Sequence, residues 1–257
     1  MFVPLLVWSE VHYAKVEPYR TVILKSSVNG KVLEADLKNE AEFLSNRQII
    51  HIDDRLDRVE LNTTKQSLKL LHSMLKINEE MLVSLKESME RKESYYARIN
   101  KLSTASRTQK DNAYGAFSAA NTQYLSTHEK VMSLQKQILD MEYKLATLKQ
   151  RIEDKNIVLT HYYLNTLLVQ KGDFVVPGSA LAKVDDIRRA KLVLFLNKTE
   201  LKELKKKHVY IDGVETAYRV DKVWKTTDAK FISSYRAEIY VDAPKGQFSS
   251  LVKVELK

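Results

Sequence analysis

LNTTKQSLKLLHSMLKINEEMLVSLKESMERKESYYARI, residues 61–99, carries one unbroken column: Leu61, Leu68, Leu75, Leu82, Met89 and Tyr96, each seven residues after the last. A second column three residues on holds Leu71, Leu85 and Ile99, with polar Thr64, Asn78 and Lys92 between them. A straight helix of about 3.6 residues per turn would rotate such a stripe away from its partner, so a sustained seven-residue repeat means helices that supercoil. The spacing predicts a helix from about Asp54 that packs lengthwise on another.

The partner follows in the chain. Phe117, Tyr124, Val131, Ile138, Leu145 and Ile152 form an equally regular column, with Ala120, Leu134, Met141 and Leu148 three residues later. No glycine or proline interrupts 31–114, while Ser103, Thr104, Ala105, Ser106 and Thr108 supply turn and cap candidates at the midpoint. The chain is expected to turn back near Leu102 to Ser106. With Ser106 as N-cap, Gln109 falls at the third helical position, the spacing of a capping box. Each arm would reach roughly 70 Å at about 1.5 Å per residue. A parallel dimer of one continuous helix also makes heptads, but Ser103 and Lys110 then stand where the first column should continue. The reading is an intramolecular antiparallel hairpin over 54–156. Its mixed polar seam positions favour side-by-side packing of several protomers.

On either side the pattern shortens to strands. From Thr21 to Asp53, Val22, Ile23, Leu24, Val28, Val32, Leu33, Leu37, Ile49, Ile50 and Ile52 form short apolar runs punctuated by Asn29-Gly30. After the helices comes KGDFVVPGSALAKVD, residues 171–185, where Gly172 and Gly178 mark tight turns. Further strands are expected over 191–196, 209–212, 218–224, 236–242 and 251–256, with a short helix over 199–207. The fold class is α+β.

The phrase 171–185 resembles the second half of the lipoyl-like domain of membrane fusion proteins, the HlyD-type periplasmic adaptor subunits of efflux and secretion systems. In that family one half-motif precedes a helical hairpin and the other follows it. The first half here is SVNGKV, residues 27–32, with turn residue Gly30, continuing to Phe43 and to 49–53. Glu40 and Asn46 depart from the family, which places turn glycines there; Asn tolerates positive φ. Segment 157–166 also lacks the family's Ala-Pro and Gly. The resemblance implies a lipoyl-like β-sandwich with halves at 21–53 and 157–186, the hairpin inserted between them, and a small β-barrel over 187–257 with membrane-proximal strands. It also implies a ring of protomers in the periplasm at the inner membrane, linking an ABC or RND transporter to a TolC-type outer-membrane channel. Members that dock on such channels carry Arg, Leu and Ser at the tip, matched in type and order by Arg98, Leu102 and Ser106, and the returning helix opens similarly to SRTQKDNA, residues 106–113. A structural coiled-coil scaffold with terminal β modules and no transport role is the other function such an architecture serves.

Composition excludes much chemistry. The absence of cysteine removes disulfides, thiolate metal sites and cysteine nucleophiles. The net charge of +9 is spread along a helix surface where lysines alternate with glutamates, the pattern of a solvated face, so no nucleic acid is expected. The densest basic run, Arg188, Arg189, Lys191, Lys198, Lys202, Lys205, Lys206 and Lys207, is a candidate membrane contact. Phe2 to Trp8 is apolar but far shorter than the roughly 20 residues of a spanning helix. Residues 1–20 read as a signal or anchor remnant or as a peripheral strand. There is no glycine-rich phosphate loop, GxSxG elbow or HExxH helix, and strand alternation would scatter His51, Asp53 and Asp54 rather than gather them on a metal. Met74, Met81 and Met89 suit soft ions chemically, but Met89 belongs to the core column and Met74 and Met81 flank it at heptad spacing, which reads as packing. The lysine that carries biotin or lipoate is replaced by the helices, so no covalent cofactor, and no enzymatic activity, is expected.

Overall fold

The computed structural model describes residues 11–257 except 203, 228–230, 232 and 247, so Phe2 to Trp8 and Glu203 lie outside the described residues. The chain divides into two compact units, Asp53–Lys155 and the flanking segments up to Ile52 and from Asn156 onward.

The helical unit is two antiparallel helices, α1 (Arg55–Lys101) and α2 (Arg107–Asp154). Their seam follows the heptad columns. Ala113, Ala120, Val131, Leu134, Ile138 and Leu148 of α2 are buried, as are polar Thr64 and Asn78 of α1 and Thr127 of α2. Asn78 answers its burial inside its own helix, donating from Nδ2 to the Met74 carbonyl at 2.7 Å. Met74 and Met81, read from their spacing as packing residues, are instead nearly half exposed: they lie one position off the columns that meet α2. Aromatic rings fill the seam below the tip, Tyr96 contacting Tyr114 at 5.4 Å and stacking on Phe117 at 6.2 Å. Where the helices begin and end, Asp57 pairs with Arg151 at 2.7 Å and with Lys155, and Glu60 with Lys144 at 2.9 Å and Arg151 at 3.1 Å. These cross-helix pairs fix the register where the chain enters and leaves.

The β unit begins with β1 (Val11–Lys25), β2 (Gly30–Ala35), β3 (Glu42–Leu44) and β4 (Arg47–Ile52). It resumes after the hairpin with β5 (Asn156–Leu159), β6 (Tyr162–Leu167), β7 (Phe174–Val175), β8 (Ala180–Leu196), β9 (Val209–Ile211), β10 (Val214–Thr216), β11 (Lys222–Thr227), β12 (Tyr235–Asp242) and β13 (Leu251–Leu256). One sheet runs β5-β4-β2-β7; the other runs β10-β9-β13-β1-β8-β12-β11, with β6 pairing both β3 and β8.

Two cores result. Val32, Ile49, Ile50, Ile52, Leu164, Val175, Leu181 and Val184 form the core of the lipoyl-like sandwich, drawn from both sides of the hairpin. Ala14, Val16, Leu192, Leu194, Val209, Ile239 and Val254 form that of the barrel module. The long strands β1 and β8 run through both modules. Their pairing shifts register between Pro18 and Arg20, where β8 carries extra residues around Ile187. Proline, lacking an amide donor, is found in sheets mainly at such bulges and edges.

Residues 11–20, the described part of the segment read as a signal or anchor remnant or as a peripheral strand, are strand and belong to the β unit. Val11 to Lys15 pair with β13, and Val16 onward with β8, so β1 lies between two neighbours. The physical reason is its alternation: Ala14 and Val16 point into the barrel core while Tyr13 and Lys15 face out. The short helix expected over 199–207 is a turn followed by a single 3-10 turn, Leu204–Lys206. The strand expected from Tyr218 starts at Lys222.

Candidate functional site

The tip of the hairpin is a five-residue loop, 102–106, between Lys101 and Arg107. Leu102 leaves the helix in an extended conformation, φ −77° and ψ 124°, while its amide still donates to the Ile99 carbonyl at 3.1 Å. Ser106 opens α2 with the capping box that its spacing predicts. Its hydroxyl accepts from the Gln109 amide at 3.2 Å and the Gln109 side chain accepts from the Ser106 amide at 2.8 Å. Two amide donors that a helix start would otherwise leave to water are thereby satisfied, which holds the loop in one geometry.

Arg98 sits in the last turn of α1, four residues before Leu102, and its exposed side chain lines a shallow groove with Glu87, Glu90, Arg91 and Ser94. Arg91 pairs with Glu87 at 3.8 Å and Lys86 with Glu90 at 3.9 Å, whereas Arg98 has no ion pair with a described residue. Leu102 remains 49% exposed. The tip thus presents a guanidinium with no ion-pair partner among the described residues, an apolar side chain one helical turn further on and a capped helix start after the loop. Such a surface can bond backbone carbonyls and fill an apolar notch. Tyr95 and Tyr114, both about half exposed, flank it. Tyr114 escaped the column count because it precedes Phe117 by three residues, the spacing by which it reaches Tyr96.

The three glycines of the lipoyl-like motif join the halves of the sandwich. Gly30 pairs with Val175 across β2 and β7; the Gly172 amide donates to the Val32 carbonyl at 2.9 Å and the Gly178 amide to the Ser26 carbonyl at 2.8 Å. Gly172 and Gly178 take φ of 103° and 92°, open to glycine and strained for any side chain. Asn46 takes φ 53°, and the turn beside Glu40 places its positive φ, 63°, on Ala41.

The basic run is divided by its surroundings: Arg188 is held by Asp186 at 2.7 Å, Lys191 lies 3.7 Å from Glu17, and Arg189 packs on tyrosine rings. Among the described residues no group of three His, Asp or Glu side chains could hold a metal ion, and no helix is long and apolar enough to cross a membrane.

No protein-family model and no curated protein matches the sequence. The fold, however, is that of solved membrane fusion proteins. MacA from Actinobacillus actinomycetemcomitans is similar over 97% of this chain and 78% of its own, with TM-score 0.73 and 16% identity. The membrane fusion protein Spr0693 from Streptococcus pneumoniae R6 matches over 97% of this chain and 99% of its own, with TM-score 0.55 and 8% identity. A MacA chimera containing the Pseudomonas aeruginosa MexA α-hairpin domain matches over 97% and 80%, with TM-score 0.57 and 15% identity.

Proposed function

We propose that this chain is a periplasmic adaptor of a tripartite efflux or type I secretion system, linking an inner-membrane transporter of ABC or RND type to a TolC-type outer-membrane channel by binding alone. The observation that carries this reading is the hairpin itself. Its seam closes within one chain, its turn is fixed by a capping box, and its tip offers Arg98 and Leu102 unengaged. An adaptor needs a long arm with a binding surface at its end, and a fold shared with membrane fusion proteins supports that role.

A ring of protomers is part of the proposal. Leu70, Met74, Ile77 and Met81 are exposed at alternating four- and three-residue steps along α1. They form a second apolar stripe off the intramolecular seam, suited to the flank of a neighbouring hairpin.

The direct test is Arg98→Glu. Charge reversal at an exposed side chain leaves folding intact, and export through the partner transporter is expected to cease with normal amounts of protein present. Normal export by that variant overturns the assignment of the tip.

A further inference from the structure

The outward face of the barrel strands β1, β8, β12 and β11 is not an ordinary solvated surface. Inward Ala190, Leu192, Ile239 and Val241 alternate with outward Arg189, Lys191, Glu238 and Tyr240. In the register, Glu17, Lys191 and Tyr240 stand in one row across three strands, and Lys222 pairs with Glu238 on the fourth. The bulge in β8 brings Arg189 against a pair of rings. Tyr19 and Tyr240 meet edge to face at 5.0 Å, and the Arg189 guanidinium lies 5.6 Å from one centroid and 5.7 Å from the other. The Lys222 ammonium stands 5.3 Å from the Tyr240 centroid.

This face floors an open cleft of about 1150 Å³. Its lining carries five cationic side chains, among them Lys15, Lys183 and Lys222, against three acids. The acids are already engaged. Asp185 accepts from Thr21 at 2.5 Å and Asn165 at 2.8 Å; Glu238 accepts from Arg236 at 2.7 Å and the Tyr240 hydroxyl at 3.1 Å; Glu17 faces Lys191. Arg189 and Lys222 lie against ring faces, and neither forms an ion pair with a described carboxylate, so both keep their charge. Contact with Tyr240 and Glu238 also holds the Lys222 ammonium protonated above its ordinary range. An entering anion therefore gains charge-assisted bonds without displacing an ion pair. Beside those donors, Trp224, 38% exposed, and Phe248 supply apolar surface in the same cleft. A phosphate alone would use only half of this lining.

We infer that the cleft binds an amphipathic organic anion: one sulfonate, carboxylate or phosphate group on a flat apolar body, the body against Trp224 and the anion on Lys222, drawn also by Arg189, which does not line the cleft itself but packs on its rings Tyr19 and Tyr240. The site lies wholly within the β unit and does not depend on the adaptor reading.

The experiment uses the full chain with Trp8→Phe, leaving Trp224 as the single tryptophan. The probe is 8-anilinonaphthalene-1-sulfonate, read by energy transfer from Trp224. N-phenyl-1-naphthylamine, which keeps the body without the sulfonate, and inorganic sulfate, which keeps the anion without the body, are the competitors. The sulfonate is expected to saturate one site per chain at least tenfold more tightly than the neutral probe, with sulfate failing to displace it at equal concentration. Arg189→Gln and Lys222→Gln, with unchanged circular dichroism, should each weaken binding about tenfold. Equal affinity for both probes, displacement by equimolar sulfate, binding without transfer from Trp224, or full affinity in the double variant would each overturn the inference. The probe comparison on unsubstituted Arg189 and Lys222 decides the matter even where the variants fail to fold.

Discussion

The Glu40 carboxylate accepts a hydrogen bond from the Leu167 amide at 2.7 Å, across 127 residues of sequence and the whole of the inserted hairpin. Next to it the Ala41 amide donates to the Leu164 carbonyl at 2.8 Å, so the turn 40–41 stitches one half of the lipoyl-like sandwich to the other. Glu40→Ala leaves the Leu167 amide without its acceptor and should cost about 1–2 kcal/mol in urea unfolding. Ala41→Gly should do the opposite. It removes a side chain held at φ 63° and is expected to add about 1 kcal/mol.

Asn78 is buried in the hairpin seam with its amide spent on its own helix. A polar side chain at a seam position lowers coiled-coil stability and serves register instead. Asn78→Leu should therefore raise the thermal midpoint of the helical signal at 222 nm by several degrees, the scale of about 1–2 kcal/mol in a chain of this size. A fall in that midpoint would mean that the Asn78 carbonyl oxygen holds a bond across the seam.

Acid should loosen the barrel through Glu255. Lys253, at 2.6 Å, and Lys257, at 2.5 Å, hydrogen-bond its carboxylate and hold its pKa down to about 2 from an ordinary 4.5. The folded state thus binds its proton less readily than the unfolded one. The resulting stabilisation is complete above pH 4.5 and disappears as the pH falls from there through about 2. Urea midpoints between pH 5 and pH 2.5 should fall less steeply for Glu255→Gln than for the parent chain.

The hairpin could be read from sequence because a seven-residue period constrains every turn of a long helix, and because Ser106 and Gln109 announce a capping box by spacing alone. The halves of the sandwich were legible through Gly172 and Gly178, whose conformations only glycine adopts readily. The N-terminal strand was legible only as one of two readings, beside a signal or anchor remnant, although Ala14 and Val16 alternate with Tyr13 and Lys15. Short alternation beside an apolar segment of different character carries little weight until its partners, β13 and β8, are known. The cation and ring cluster was out of reach for a similar reason. Tyr19, Arg189, Lys222 and Tyr240 are brought together only by strand register and by a bulge in β8. At the tip, sequence located Arg98, Leu102 and Ser106, while the Tyr96–Tyr114 contact depends on the crossing of two helices.

The central claim is that the hairpin tip meets an outer-membrane channel, and Leu102 is the place to measure it. A photoreactive amino acid at position 102 of the full chain, irradiated in the cells that produce it and followed by mass spectrometric identification of the captured partner, reports contact directly. The expected product joins the tip to an outer-membrane channel protein and is lost on Arg98→Glu. Chain recovered wholly from the cytosol, or a well-expressed tip that captures no channel, would contradict the adaptor reading.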